Sequence, residues 1–131
     1  MQHYKETFKV VEEDLDDLNH VNNIRYIEWV QEISKNHWLK VVDEATRNEM
    51  VWVVKNHNIT YAKPAKLDDP IVVNTHIKST RGPLSTRVVE IRNNKTEQLL
   101  VNAITEWCLL DAKTFRPKRV PESVQNLFKK V

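Results

Sequence analysis

The chain has 131 residues, 40% of them hydrophobic, with 20 Lys and Arg against 18 Asp and Glu and a net charge of +2. That length is one domain, 1–131, with apolar content for one core, and a charge this near balance gives no reason to expect a nucleic-acid partner. The single cysteine, Cys108, excludes an intrachain disulfide and every multi-cysteine metal cluster, as suits a reducing cytoplasm.

The first residues, Met1 to Glu6, lack the apolar core of a secretory signal, and no apolar run approaches the ~20 residues that cross a bilayer. A soluble cytoplasmic protein without a membrane partner is expected. A domain this small has little room for both a core and a deep pocket, so a site shared between subunits is also expected.

In chain order, Tyr4 to Val11 alternates Tyr4, Glu6, Phe8 and Val10 against Lys5, Thr7, Lys9 and Val11, the pattern of a half-buried first strand. A polar cluster then breaks it: Glu13-Asp14-Leu15-Asp16-Asp17-Leu18-Asn19-His20-Val21-Asn22-Asn23 gathers four carboxylates, a histidine and three amides. Asn19 or Asn22 is suited to cap a following helix. From Asn23 to about Lys40, Tyr26, Val30, Ile33 and His37 recur at helical spacing, with Ile27, Trp38 and Val41 widening the stripe. Arg25, Glu28, Glu32 and Lys35 fall opposite, which predicts an amphipathic helix of about five turns.

Asp43 to Met50 is polar and ends that helix in a loop or short extra turn. Four strands are predicted beyond it, at Val51 to Ala62, Pro70 to Thr80, Leu84 to Asn93 and Gln98 to Leu110. The last is apolar on both faces and reads as a central strand covered on both sides. Arg81-Gly82-Pro83 and Asn93-Asn94-Lys95 are short turns that favour antiparallel hairpins, whereas Lys63 to Pro70 is a longer link. Pro121 suits a first helical position, with Val124, Leu127, Phe128 and Val131 as the stripe of a short C-terminal helix. One long helix followed by a large antiparallel sheet is an α+β arrangement, the sheet covering the apolar face of the helix.

The polar cluster has the parts of a hydrolytic site. Hydrolytic attack on a carbonyl needs a nucleophile or an activated water together with donors for the developing oxyanion. Asp16 lies one short loop before a helix whose first backbone N–H groups, around Asn22 to Arg25, are unpaired and at the positive end of its dipole. A carboxylate run before a helix also serves simply as capping, and Asp14 and Asp17 read as structural or solvated. His20 reads equally as an acid or base and as a neutral partner that orders the loop. His37, His57 and His76 have no metal-site spacing, so no metal is expected. Cys108 reads as a packed core residue. Trp29, Trp38, Trp52 and Trp107 are candidates for an apolar ligand pocket or for core, and Lys63, Lys66, Arg81 and Arg87 for phosphate contacts or plain solvation.

Asp14-Leu15-Asp16, then His20-Val21-Asn22-Asn23, then Tyr26 and Trp29, resembles the signature of hotdog-fold acyl thioesterases, both the 4-hydroxybenzoyl-CoA thioesterase family and the plant acyl-carrier-protein thioesterases. Tyr61-Ala62-Lys63-Pro64-Ala65, with Asp68-Asp69 behind it, and Arg116-Pro117-Lys118-Arg119-Val120-Pro121 are similar to that family too. The resemblance covers nearly the whole chain. It implies a single hotdog domain, with a five-stranded antiparallel sheet wrapped around one long helix, joined edge to edge in a homodimer or a dimer of dimers. It also implies hydrolysis of an acyl-CoA or acyl-ACP thioester and a place in fatty acid metabolism, with coenzyme A entering as substrate rather than as a cofactor. Asp16 matches the catalytic carboxylate, nucleophile or base, with His20 and Asn22 beside it; Asn23, Tyr26 and Lys63 are the expected substrate contacts. Three positions depart from the pattern. The glycine common before the histidine is Asn19, the plant asparagine is Leu18, and the plant glutamate falls on Pro64. The plant three-residue scheme therefore does not transfer whole. The rival readings are a dehydratase or hydratase of acyl thioesters on the same scaffold, and a non-catalytic acyl-binding dimer.

Overall fold

The computed structural model describes residues 2–129. Strand β1 (Tyr4–Lys9) leads through a single 3-10 turn at Glu12–Asp14 into helix α1 (Asn23–Val41). A one-turn helix α2 (Glu44–Arg47) follows, then β2 (Met50–Tyr61), β3 (Pro70–Arg81), β4 (Leu84–Asn93), β5 (Leu99–Asp111) and helix α3 (Glu122–Leu127). Every element expected from the sequence is present, with boundaries shifted by a residue or two; the 3-10 turn is an addition to them.

The periodicities explain the packing. In α1 the buried residues are Tyr26, Trp29, Val30, Ile33, Ser34 and His37, one face of a 3.6-residue period, with Glu32 and Lys35 on the opposite side. Asn22 is the cap: its side chain accepts from Ile24 N at 2.9 Å. Asp43 caps α2 in the same way through Thr46 N. In β3 and β4 alternate residues, Ile71, Val73 and Thr75, then Ser85, Arg87, Val89 and Ile91, point inward. At the β3–β4 turn Gly82 has φ +58°, left-handed backbone that a residue without Cβ adopts at no steric cost.

The sheet is antiparallel in the order β1-β3-β4-β5-β2. β3–β4 and β4–β5 are the expected hairpins, while the longer link of residues 62–69 carries the chain from the β2 edge across to β3. Helix α1 lies against one face of the sheet, and its stripe meets Ile71, Val73, Val89, Ile91, Val101 and Ala103 in the main core. A second core forms at the far end of the helix from Val42, Met50, Leu109, Val120, Val124 and Phe128. Among the described residues no helix is long and apolar enough to cross a membrane.

Several expectations are corrected. β5 is interior in the sheet but covered on one side only: Ala103, Thr105 and Leu109 are buried, whereas Ile104, Cys108 and Leu110 on the other face are half-exposed. Cys108 is therefore not a packed core residue; it sits on that outer face. Pro121 is the N-cap of α3 rather than its first helical residue, because its ψ of 141° is extended. Val131 lies outside the described residues. Arg87 is buried on the inner face of β4, not a solvated surface cation. One chain by itself also encloses a cleft of about 640 Å³, larger than its size suggested.

Candidate active site

The site is assembled by a loop that bonds to itself. Asp16 N donates to His20 O at 2.7 Å, and Asp16 Oδ1 accepts from Leu18 N at 2.9 Å and His20 N at 3.1 Å. Closing so tight a loop forces Asn19 to φ +61°, the left-handed region that glycine and asparagine tolerate best. The departure noted in the sequence, asparagine for glycine before the histidine, is thus conservative in backbone terms. The loop is pinned on one side by Asp14, whose Oδ1 accepts from Arg25 Nε at 2.7 Å and whose Oδ2 accepts from Val11 N at 3.0 Å. It is pinned on the other by Val21 N, which donates to Ala65 O at 2.9 Å. Asp14 is structural, as expected, and Asp17 is exposed outside the cleft.

Asp16, His20, Asn23, Tyr26 and Lys63 line one cleft of about 180 Å³ at the N-terminus of α1, together with Val21, Tyr61, Ala62 and Pro64. Five of the six sequence-predicted residues thus converge. The sixth, Asn22, does not line the cleft; its side chain is spent on capping the helix. Tyr61 belongs to the sequence motif but not to the predicted site. Its presence follows from strand order, which sets the end of β2 beside the Asp16 loop.

Each side chain has a definable role in the geometry. Asp16 Oδ1 is held by two amides, while Oδ2 has no partner among the described residues. The ring of His20 has no hydrogen-bond partner among them either; the loop is ordered by the backbone of His20, not by its imidazole. Tyr26 is 2% exposed, and its hydroxyl accepts from Ala65 N at 2.9 Å, which holds the Lys63–Ala65 segment over the cleft. Burial raises the Tyr26 phenol above its ordinary value, opposed by that amide. Its ring packs against Tyr61 at 5.8 Å and, edge-on, against Trp29 at 5.4 Å. Trp29 is therefore core, whereas Trp38, Trp52 and Trp107 line the larger cleft at the other end of α1.

The helix amides can be counted individually. Asn22 N donates to Asp14 O, Ile24 N to Asn22 Oδ1 and Arg25 N to Asn22 O, so of this turn Asn23 N alone lacks an acceptor among the described residues. A residue with an open carboxylate oxygen and one with an open amide at the positive end of a 19-residue helix thus line one cleft. No group of three His, Cys, Asp or Glu among the described residues is placed to hold a metal.

A sheet wrapped on one long helix is the hotdog arrangement, and solved structures share that fold. YbaW of Escherichia coli superposes with a TM-score of 0.84 over 94% of both chains at 24% identity. Slr0204, a 1,4-dihydroxy-2-naphthoyl-CoA thioesterase from Synechocystis, does so with a TM-score of 0.84 over 99% of this chain and 98% of that one at 16% identity. The long-chain acyl-CoA thioesterase FadM of Escherichia coli K12 is 29% identical over 103 residues, 76% of this chain and 77% of that protein. The fold and these relatives together define a hotdog-fold thioester hydrolase. Residues 1–128 match the acyl-ACP thioesterase N-terminal domain, and the chain belongs to that family.

Proposed function

We propose that residues 1–131 act as one hotdog domain in which Asp16 carries out acyl thioester hydrolysis, as nucleophile or as the base for water, with Asn23 N–H as oxyanion donor. The observation that supports this reading is that Asp16 and Asn23 line one cleft, and that Asp16 Oδ2 and Asn23 N each lack a protein partner among the described residues. As nucleophile, Oδ2 attacks the thioester carbonyl, the thiolate departs, and water cleaves the resulting anhydride. As base, Asp16 takes a proton from water, whose oxygen attacks, and that proton goes to the departing thiolate. In both routes negative charge grows on the carbonyl oxygen, where one preorganised donor is typically worth about 3 kcal/mol. Asn22 acts through Asn23 by fixing the helix start. His20 and Lys63 flank the cleft as candidate contacts to the thioester and its carrier, with Tyr26 as its floor.

The substrate is an acyl-CoA or acyl-ACP; the long-chain acyl-CoA specificity printed for FadM and the aromatic one printed for Slr0204 span the acyl groups to test. No cofactor is required by this chemistry, and Cys108, unbridged, suits a cytoplasmic setting. The working unit is a homo-oligomer joined through β2. That edge strand is 12 residues long and exposes Val51, Val53 and Tyr61, an open edge of the kind that folded proteins cover.

The test is thiol release from short, medium, long and aromatic acyl-CoA and from acyl-ACP, with wild type, Asp16→Asn and His20→Ala side by side. Turnover lost in Asp16→Asn at unchanged melting temperature is the expected result; turnover near the wild-type rate would remove Asp16 from the mechanism. Because the His20 ring holds nothing in the loop, His20→Ala should fold normally, so any fall in its rate reports chemistry or substrate contact.

A further inference from the structure

At the opposite end of α1 the cleft of about 640 Å³ shares no lining residue with the catalytic one. Its walls are apolar, from Trp38, Trp52, Trp107, Val124 and Phe128. Its charges are of one sign: Lys35, Lys78 and Lys129 stand at the rim and Arg87 lies inside, and no Asp or Glu lines it.

Arg87 is only 5% exposed. Its Nη1 donates to His37 Nδ1 at 2.8 Å and to Thr75 Oγ1 at 3.1 Å, both neutral partners. The network sets the tautomer: an arginine only donates, so Nδ1 of His37 accepts and its Nε2–H donates to Gln2 Oε1 at 2.7 Å. Among the described residues no carboxylate pairs with Arg87, and its Nε and Nη2 have no acceptor. Burial lowers the guanidinium to about 10, so near neutral pH it remains a cation. A buried charge without a counter-charge is costly, and folded proteins pair such groups. Because Ser85 faces Trp107 while Arg87 faces Thr105, Arg87 and Trp107 are diagonal neighbours across β4 and β5, and the Trp107 ring forms part of the cleft wall while its Nε1 is sealed from solvent.

An arginine with open donors inside an aromatic cleft with a cationic rim specifies an anion that carries a hydrocarbon body. We propose that this cleft binds a free acyl carboxylate, with its head on Arg87 and its chain along Trp38, Trp52 and Phe128. The volume falls in the range of small-molecule sites, roughly 300–1,000 Å³. A free acyl acid is the product class of thioester hydrolysis, and the site stands apart from the reacting groups, so it gives the protein a means to sense accumulated product. Binding at this cleft does not depend on the role assigned to Asp16.

Calorimetric titration with dodecanoate, dodecan-1-ol and acetate, read alongside tryptophan fluorescence, tests it. Dodecanoate should bind wild type at least about tenfold more tightly than dodecanol, the scale of a charge-assisted hydrogen bond, and acetate should bind far more weakly than either. Arg87→Gln should abolish that preference, while Asp16→Asn should bind dodecanoate as wild type does. If Arg87→Gln fails to fold, Val124→Trp, which fills the cleft, should abolish binding of dodecanoate and dodecanol alike. Equal affinity for acid and alcohol would overturn the proposal, as would a preference for the acid that survives either substitution. So would Val124→Trp if it stopped turnover of dodecanoyl-CoA but spared butanoyl-CoA, because the cleft would then hold the acyl chain of the substrate.

Discussion

The two ends of α1 are built on opposite terms. At its N-terminus a small cleft, about 180 Å³, is shaped by backbone hydrogen bonds within one irregular loop, and its carboxylate and imidazole keep hydrogen-bonding capacity free. At its C-terminus a cleft of about 640 Å³ is shaped by side chains packed from the helix, four strands and α3, around a buried arginine. Volume alone would place the chemistry at the larger one. The open oxygen of Asp16 and the open amide of Asn23 favour the smaller, because a reaction needs groups with hydrogen-bonding capacity left over, whereas an apolar cavity offers only affinity.

The contrast is most exposed to failure at Asp16. Asp16→Asn should cut kcat by about 10²–10⁴-fold, the usual scale for a positioned acid or base. The asparagine Oδ1 can still accept from Leu18 N and His20 N, so stability should stay within about 0.5 kcal/mol, as chemical denaturation would show. A large loss of both rate and stability would mean that the carboxylate serves the loop instead.

The far end should reveal itself in acid. Burial and the neighbouring Arg87 hold His37 down to about 4 from an ordinary 6.5. Between those values the unfolded chain binds the extra proton, so the contribution of this residue is full above pH 6.5 and is lost as pH falls toward 4. It totals up to about 3 kcal/mol at 1.36 kcal/mol per pH unit. His57 and His76, also lowered by burial, act in the same direction. Urea unfolding at pH 7.5 and pH 5, followed by tryptophan fluorescence, measures the loss; a flat profile would mean that His37 accepts a proton without disturbing Arg87.

Smaller effects sharpen the catalytic end. Tyr26→Phe leaves the buried Ala65 N–H unpaired and should cost about 1–3 kcal/mol of stability. Its effect on rate should be mainly on KM, since it loosens the Lys63 segment rather than Asp16. Asn22→Ala removes the helix cap and should cost about 1 kcal/mol in denaturant unfolding, with a modest fall in kcat as the Asn23 amide loses its fixed position. An Asn22→Ala enzyme with full stability would show that the helix start is held by the Asp14–Asn22 backbone bond alone.

The legibility of the fold and the site varies residue by residue. Asp16, His20, Asn23 and Tyr26 lie within one loop and the first turn of one helix, so their convergence is nearly a local property of the chain. Lys63 enters through the family resemblance, and Tyr61 beside it escapes prediction, because nothing local to Tyr61 records which strand end faces the Asp16 loop. Position puts Asn22 in the catalytic set, whereas its hydrogen bond makes it the cap, the other role the sequence offers it. Arg87 groups with phosphate contacts or solvated cations on sequence grounds, because alternation along β4 marks a face but does not say what covers it.

What the sequence determined by itself is what depends on neighbours along the chain. The 3.6-residue stripe of α1, the alternation of β3 and β4, the cap at Asn22, the left-handed turn at Gly82 and the Asp16-to-Asn23 loop all follow from short-range sterics and hydrogen bonding. Tertiary structure alone decided the strand order β1-β3-β4-β5-β2, the meeting of Tyr61 with Asp16, and the burial of Arg87 against a helix 50 positions away in sequence. Those outcomes depend on how volumes fill and which edges pair across the whole sheet, and no local period encodes either.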